Sequence, residues 1–394
     1  MPIVDMKDML NHAYCHRYAI GAFDLVSMDF LKGILTAAEN CRAPIILSLN
    51  ESHFEHYDFE LLMAAAQAAA KRTQVPVAIH LNHASSLESA VRAIRSGCNS
   101  VMADFSELAF PENLAHTKEV IGMARTCGVT VEGGLGYVSG LKGGDTEKHP
   151  VEISLTLPVE AKAFSERTGV DCLAVSIGTV HGRARNGTKL DYARLAKINE
   201  AAGIPLVIHG GTGLTDEQFM KLIANGVAKI NYYTALSVAA GNAILQSAHD
   251  GETAYTALCS GAVEAVRTEV ERCIRMWGSG GRAAEVLAQC RPWREVEHIV
   301  LYNVDSRLNE SEKTALVTQG MDTLAAIPGV KSVTHCKAVQ GDARYRQCWL
   351  IRFASEAVIA GYRDHPDHVR YANKTFRPAA SDRLTIDLMV GAHD

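Results

Sequence analysis

Short apolar runs alternate with helix-patterned stretches through the first 280 residues, and no other feature of this sequence narrows the fold as far. Strand-length runs fall at 19–24, 44–49, 75–81, 100–104, 129–132, 172–177, 204–208 and 227–231, separated by segments of helical spacing such as 28–39 and 60–71. A run that is apolar throughout suits a strand buried on both faces, and strands that alternate with helices pair in parallel. Eight such units predict an α/β fold in which a closed (β/α)8 barrel fits better than an open doubly wound sheet.

In a parallel barrel the chemistry sits at the carboxyl ends of the strands, so the residues that end each run are the candidates for function. The third run ends in Asn82-His83, the fifth in Glu132 before Gly133-Gly134-Leu135-Gly136, and the sixth leads to Gly178-Thr179-Val180-His181-Gly182. The seventh ends in His209, followed by Gly210-Gly211-Thr212-Gly213. His83, His181 and His209 therefore come from three separate strands and can converge on one face. Three neutral imidazoles and an open position describe a catalytic zinc site, with Zn–N distances of about 2.0 to 2.1 Å. The glycines after His209 allow several backbone N–H groups to converge, and Thr212 adds a hydroxyl, which makes an anion nest suited to a phosphate. His80, three residues before His83, is expected to point to the opposite face and to serve structure. The glycine-rich stretch 137–150 reads as a candidate lid.

A chain of 394 residues exceeds the size at which one core keeps growing. Gly278-Ser279-Gly280-Gly281 interrupts the last helical pattern, so 1–280 is expected to be the barrel and 281–294 a linker. The remainder, 295–394, reads β-α-β-β-α-β, the order of a ferredoxin-like α+β unit. A net charge of −5 argues against a nucleic-acid partner. No run approaches the roughly 18 to 20 apolar residues that cross a bilayer, and the amino terminus shows no signal-peptide pattern. Ten scattered cysteines without a C-x-x-C pair read as reduced thiols, so a cytoplasmic protein is expected.

The segments His80-Leu81-Asn82-His83, Val131 to Gly136, Gly178 to Gly182, His209 to Gly213 and Lys229-Ile230-Asn231 resemble the class II, zinc-dependent ketose-bisphosphate aldolases, in the same order over roughly the first 280 residues. The resemblance implies one zinc ion per chain on His83, His181 and His209, with Glu132 close to it. It also implies that Gly182, Gly211, Thr212, Asn231 and Thr234 hold the phosphate of a dihydroxyacetone-phosphate moiety, with Arg185 where the family often has a lysine and a monovalent cation near the phosphate. The implied reaction is cleavage or condensation of a phosphorylated ketose through an enediolate, the chemistry of glycolysis and related carbohydrate metabolism.

The family's proton-accepting aspartate falls at Asn82, whose neutral amide cannot accept a proton. The second glutamate of its E-x-E falls at Gly134, and its mobile-loop acid at Lys142 or, with a shifted register, Leu141. The catalytic candidates are thus Asn82, Lys142 and Glu132, with Asp104, Asp145 or Glu147 as other sources of a carboxylate. These departures keep open a zinc enzyme of the same fold acting on a different, acidic sugar derivative. A non-catalytic assembly protein is a third reading, against which the three histidines weigh. The last hundred residues, through Val296 to Tyr302, Pro328-Gly329-Val330 and His365-Pro366-Asp367-His368-Val369, resemble the stress-responsive dimeric α+β barrel family. That implies pairing through sheets, so a homodimer or homotetramer is expected. Of His298, His365 and His368, the latter two are expected on a helix-loop surface.

Overall fold

The structure, a computed structural model, describes residues 2–138, 153–179 and 189–391. Contacts divide the chain into two compact units, and along the carboxy-terminal stretch the division falls between Pro292 and Trp293.

The larger unit is a closed barrel of eight parallel strands: β1 (Ile20–Asp24), β2 (Ile45–Asn50), β3 (Val77–Ala84), β4 (Ser100–Ala103), β5 (Thr130–Leu135), β6 (Cys172–Val175), β7 (Leu206–Ile208) and β8 (Val227–Tyr232). Each strand pairs with its neighbour in sequence, and β8 closes on β1, with Ile20 opposite Lys229. All eight strands are buried along their whole length, as continuous apolar runs require. The opening helix, Met6–His16, starts at an Asp5 cap whose carboxylate accepts from the Lys7 N–H at 2.8 Å. Its Met6, Met9 and Leu10 join Ile46, Ala78 and Val207 in one apolar cluster, which closes the amino end of the barrel. The opposite end is left for polar side chains.

One irregularity bears on the site. Leu81 pairs with Val101 and Ala84 with Ala103, so Asn82 and His83 together face a single β4 residue. This β-bulge carries His83 at φ 58°, the left-handed region that costs an L residue about 1 to 2 kcal/mol. The normal alternation of faces is broken there, and Asn82 and His83 both reach the barrel mouth. Part of the segment predicted as a lid is described: Tyr137–Val138 pairs antiparallel with Ile153–Ser154. Residues 139–152, which include Lys142, Asp145 and Glu147, lie outside the described residues.

In the smaller unit the strands are β9 (Val296–Tyr302), β10 (Val330–Lys337), β11 (Gln347–Phe353) and β12 (Arg383–Met389), in the antiparallel order β10-β11-β9-β12. Helices Glu310–Ala325 and Val358–Asp364 supply the two crossovers. The predicted β-α-β-β-α-β order is present, and it is extended by a helical stretch from Pro366 to Ala379 that the sequence pattern had not shown. Among the described residues no helix is long and apolar enough to cross a membrane.

Candidate active site

Inside the barrel, below its carboxyl end, four strands contribute one buried polar network. Glu132 of β5 accepts a charge-assisted hydrogen bond from the Lys229 ammonium of β8 at 2.7 Å, and both side chains are fully buried. His80 of β3 lies 3.4 Å from that ammonium through Nε2, and its Nδ1 is 2.9 Å from the Ser100 hydroxyl of β4. The other oxygen of Glu132 is 3.0 Å from Nε2 of His209, which follows β7. His80 therefore points into the barrel interior, contrary to the sequence expectation of the opposite face: the bulge after Leu81 lets His80 and His83 share the same side.

Burial alone would raise the Glu132 carboxyl, but the Lys229 ammonium and the His209 and His80 imidazoles outweigh it and hold it well below the usual carboxylate range. Burial pushes His209 down to about 4, so its ring is neutral near pH 7, as a metal ligand must be.

Above this network, His83 and His209 face each other with ring centroids 4.7 Å apart and planes tilted by 60°. Nδ1 of His83 is 2.6 Å from the Asp104 carboxylate, which also accepts from the Ser106 hydroxyl at 2.6 Å. A carboxylate on one ring nitrogen fixes the tautomer and orientation of an imidazole and leaves its other nitrogen for a metal. Two carboxylate-oriented imidazoles at the barrel mouth fit the donor chemistry of zinc. Among the described residues no three histidine, cysteine or acidic side chains form a metal-holding group. His181, the third predicted ligand, lies outside the described residues, as do Gly182 and Arg185.

The remaining predicted anion-binding residues are brought together. Gly211, Thr212, Asn231 and Thr234 line one pocket with Asn82, His83 and His209. Gly210 and Gly213 have φ of 75° and 90°, which glycine adopts without strain, so the turn after β7 can fold back on itself. Thr234 opens a 16-residue helix, whose amino end carries a positive dipole. The Thr212 hydroxyl accepts from the Ala235 N–H at 3.2 Å and so ties the turn to that helix.

Gly134 explains a space rather than a contact. A Cβ there would come within 3.1 Å of an Asp104 oxygen, so Asp104 borders the volume that a longer side chain at 134 would enter.

The sequence reading gave no role to Asp24, at the end of β1, or to Lys229. Asp24 lines the same pocket as Asn82 and Asn231. Its Oδ1, the Asn82 Oδ1 and the Asn231 Oδ1 are buried without a hydrogen-bond partner among the described residues. Buried polar atoms are nearly always bonded, so a cluster of orphans marks where a polar ligand binds. Burial pushes the Asp24 carboxyl up, and Ser48, His53, His83 and Lys229 offset this in part. The signals were present: Asp24 ends a barrel strand, and Lys229 interrupts an otherwise apolar one.

A family model described as fructose-bisphosphate aldolase class-II matches residues 4–282. The chain belongs to the class II fructose-bisphosphate aldolase family. Among solved structures, the aldolase unit is similar to the YdjI aldolase from Escherichia coli K12, at 31% identity and a TM-score of 0.63, covering 71% of this chain and 99% of that one. It is likewise similar to a candidate fructose-1,6-biphosphate aldolase from Coccidioides immitis, at 32% identity and a TM-score of 0.64, covering 70% and 97%. The fold is shared with fructose-bisphosphate aldolase from Campylobacter jejuni, at 19% identity and a TM-score of 0.58 over 71% of this chain and 96% of that one. After the aldolase unit, residues 296–390 match the stress responsive A/B barrel domain, as the sequence resemblance implied.

Proposed function

We propose that this aldolase is a zinc-dependent carbon–carbon lyase that cleaves or forms a phosphorylated ketose, with dihydroxyacetone phosphate as one product or substrate. The observation that carries this reading is the meeting of His83 and His209 beside the Gly211-Thr212 turn, Asn231 and Thr234, which sets a metal-type donor pair against an anion nest. His83, His209 and His181 would hold the ion, which when bound supplies a Lewis acid at a substrate carbonyl.

The chain's own residues divide the remaining work. The nest and the helix amino terminus at Thr234 bind and orient the phosphate. Asn82 and Asn231, each with an unpaired buried oxygen, offer hydrogen bonds to substrate hydroxyls. Glu132 and Asp104 orient the two imidazoles, and Glu132 is committed to Lys229 as well.

A base must still take the proton from the hydroxyl on the carbon that becomes the aldehyde. Asp104 is engaged by His83 and Ser106, Glu132 by Lys229 and His209, and Asn82 cannot accept a proton. Among the described carboxylates lining the pocket, Asp24 alone presents an unpaired oxygen to it, and we assign it the role of base. Its environment raises its proton affinity, which suits a base working near neutral pH. A carboxylate on β1 in place of one on β3 approaches the substrate from another side. That favours, as a second reading, a sugar of different stereochemistry or an acidic sugar derivative.

Metal analysis of the purified protein, coupled to a screen of phosphorylated ketoses and acidic sugars for triose-phosphate release, tests the activity. About one zinc per chain and loss of turnover in a chelator are expected, and a protein without a divalent ion defeats both readings. Asp24→Asn is expected to lower kcat by about 100-fold or more with KM little changed. Adding Asn82→Asp to that variant should restore part of the loss on fructose bisphosphate, and an unchanged kcat in Asp24→Asn removes Asp24 as the base.

A further inference from the structure

The smaller unit holds a cavity of about 430 Å³ between its sheet and its helices, a size within the roughly 300 to 1,000 Å³ of small-molecule sites. Most of its wall is apolar and aromatic, with Val300, Leu324, Trp349, Phe353, Tyr371 and Phe376 among the lining residues. The polar groups collect on one side. Alternation along β12 puts Arg383, Thr385 and Asp387 on the cavity face, opposite Tyr302, Val300 and His298 of β9.

Two imidazoles line that wall. Nδ1 of His298 lies 2.7 Å from the Asp387 carboxylate. Nδ1 of His368 lies 3.0 Å from the Arg363 carbonyl oxygen, which can only accept, so this nitrogen carries the proton and Nε2 keeps its lone pair. His368 lies on the helix Pro366–Tyr371, as the sequence had suggested, but it is half-buried: its ring packs 4.4 Å from that of Tyr362 and lines the cavity. Arg363 pairs with Asp364 at 3.2 Å, which leaves Arg377 and Arg383 on the cavity wall with one lining carboxylate, Asp387, and that carboxylate already faces His298. Arg383 donates to the Ala380 carbonyl at 3.0 Å, and its fork has donors to spare.

We propose that this cavity binds a small organic anion with an aromatic or aliphatic body and a carboxylate head. The body lies among Trp349, Phe353 and Phe376, and the head meets Arg383, whose guanidinium offers charge-assisted hydrogen bonds. The site is separate from the barrel mouth and does not rest on the aldolase reading.

Calorimetric titration of the full chain with 1-naphthoate, in excess inorganic phosphate to fill the barrel's anion nest, tests this. One naphthoate per chain is expected, with the uncharged 1-naphthamide binding about tenfold more weakly, the loss of one charge-assisted contact. Thr385→Trp, on a strand that accepts a large aromatic, should fill the space and abolish binding. Arg383→Gln should bring naphthoate down to the affinity of naphthamide. Absence of naphthoate binding, equal affinity of the two probes for the unaltered chain, or binding unchanged in both variants overturns the proposal. Should Thr385→Trp fail to fold, the comparison of probes on Arg383→Gln decides by itself.

Discussion

Lys229 shows how much one residue can determine. Its ammonium and the Glu132 carboxylate sit in the barrel with no solvent exposure, 2.7 Å apart. Such a pair adds little net stability, but breaking it leaves an uncompensated buried charge. Lys229→Met is expected to destabilise the protein by about 3 to 5 kcal/mol in urea titration, and adding Glu132→Gln should recover part of the loss. The buried histidines set a pH dependence. Burial lowers His80 well below 6.5 in the barrel, and burial lowers His368 in the smaller unit. The unfolded chain therefore binds more protons than the folded one once the pH falls below 6.5, and stability falls with pH in that range. The melting temperature should drop from about pH 7 to about pH 5, with a shallower slope in His368→Asn. A melting temperature flat across that interval would count against neutral burial of these rings.

Among the elements, the turn after β7 and the bulge in β3 do what regular strands cannot. The bulge presents Asn82 and His83 together, at the backbone expense of a left-handed histidine. The turn at Gly210 needs φ 75°, which alanine takes only with strain of about 1 to 2 kcal/mol. Gly210→Ala is expected to raise KM for a phosphorylated substrate several-fold with a smaller effect on kcat, because in the proposed function the displaced N–H groups would hold the phosphate and not the reacting carbons. Equal losses in kcat and kcat/KM would place the turn at the reacting centre instead. Of the strands, β6 is shorter than its apolar run, 172–177. Ile177 and the glycine after it already turn out of the sheet, and Gly178 has φ 110°. Apolarity reports burial, and buried turn residues share it with strand residues.

At the scale of the whole molecule, the two units face different tasks. The smaller one leaves an apolar sheet face open: Leu384, Ile386 and Leu388 of β12 are 50%, 45% and 44% exposed, in register with Leu301, Ile299 and Glu297 of β9. A second copy is the expected cover, given how such domains pair. Analytical ultracentrifugation should find a dimer or a higher even assembly, halved in Ile386→Glu, and a monomeric unaltered chain would refute it. The residue order by itself determined the (β/α)8 barrel, the α+β unit after it, and which residues end the strands. Those properties are local: strand and helix periodicity and glycine content are written along the chain. Only the tertiary structure decided that Lys229, Glu132, His80 and His209 meet, that Asp24 shares a pocket with Asn82, and that His368 lines a cavity. Which inward side chains touch across a barrel depends on register, shear and one bulge, and these are settled by closure of the whole sheet rather than by any segment of it.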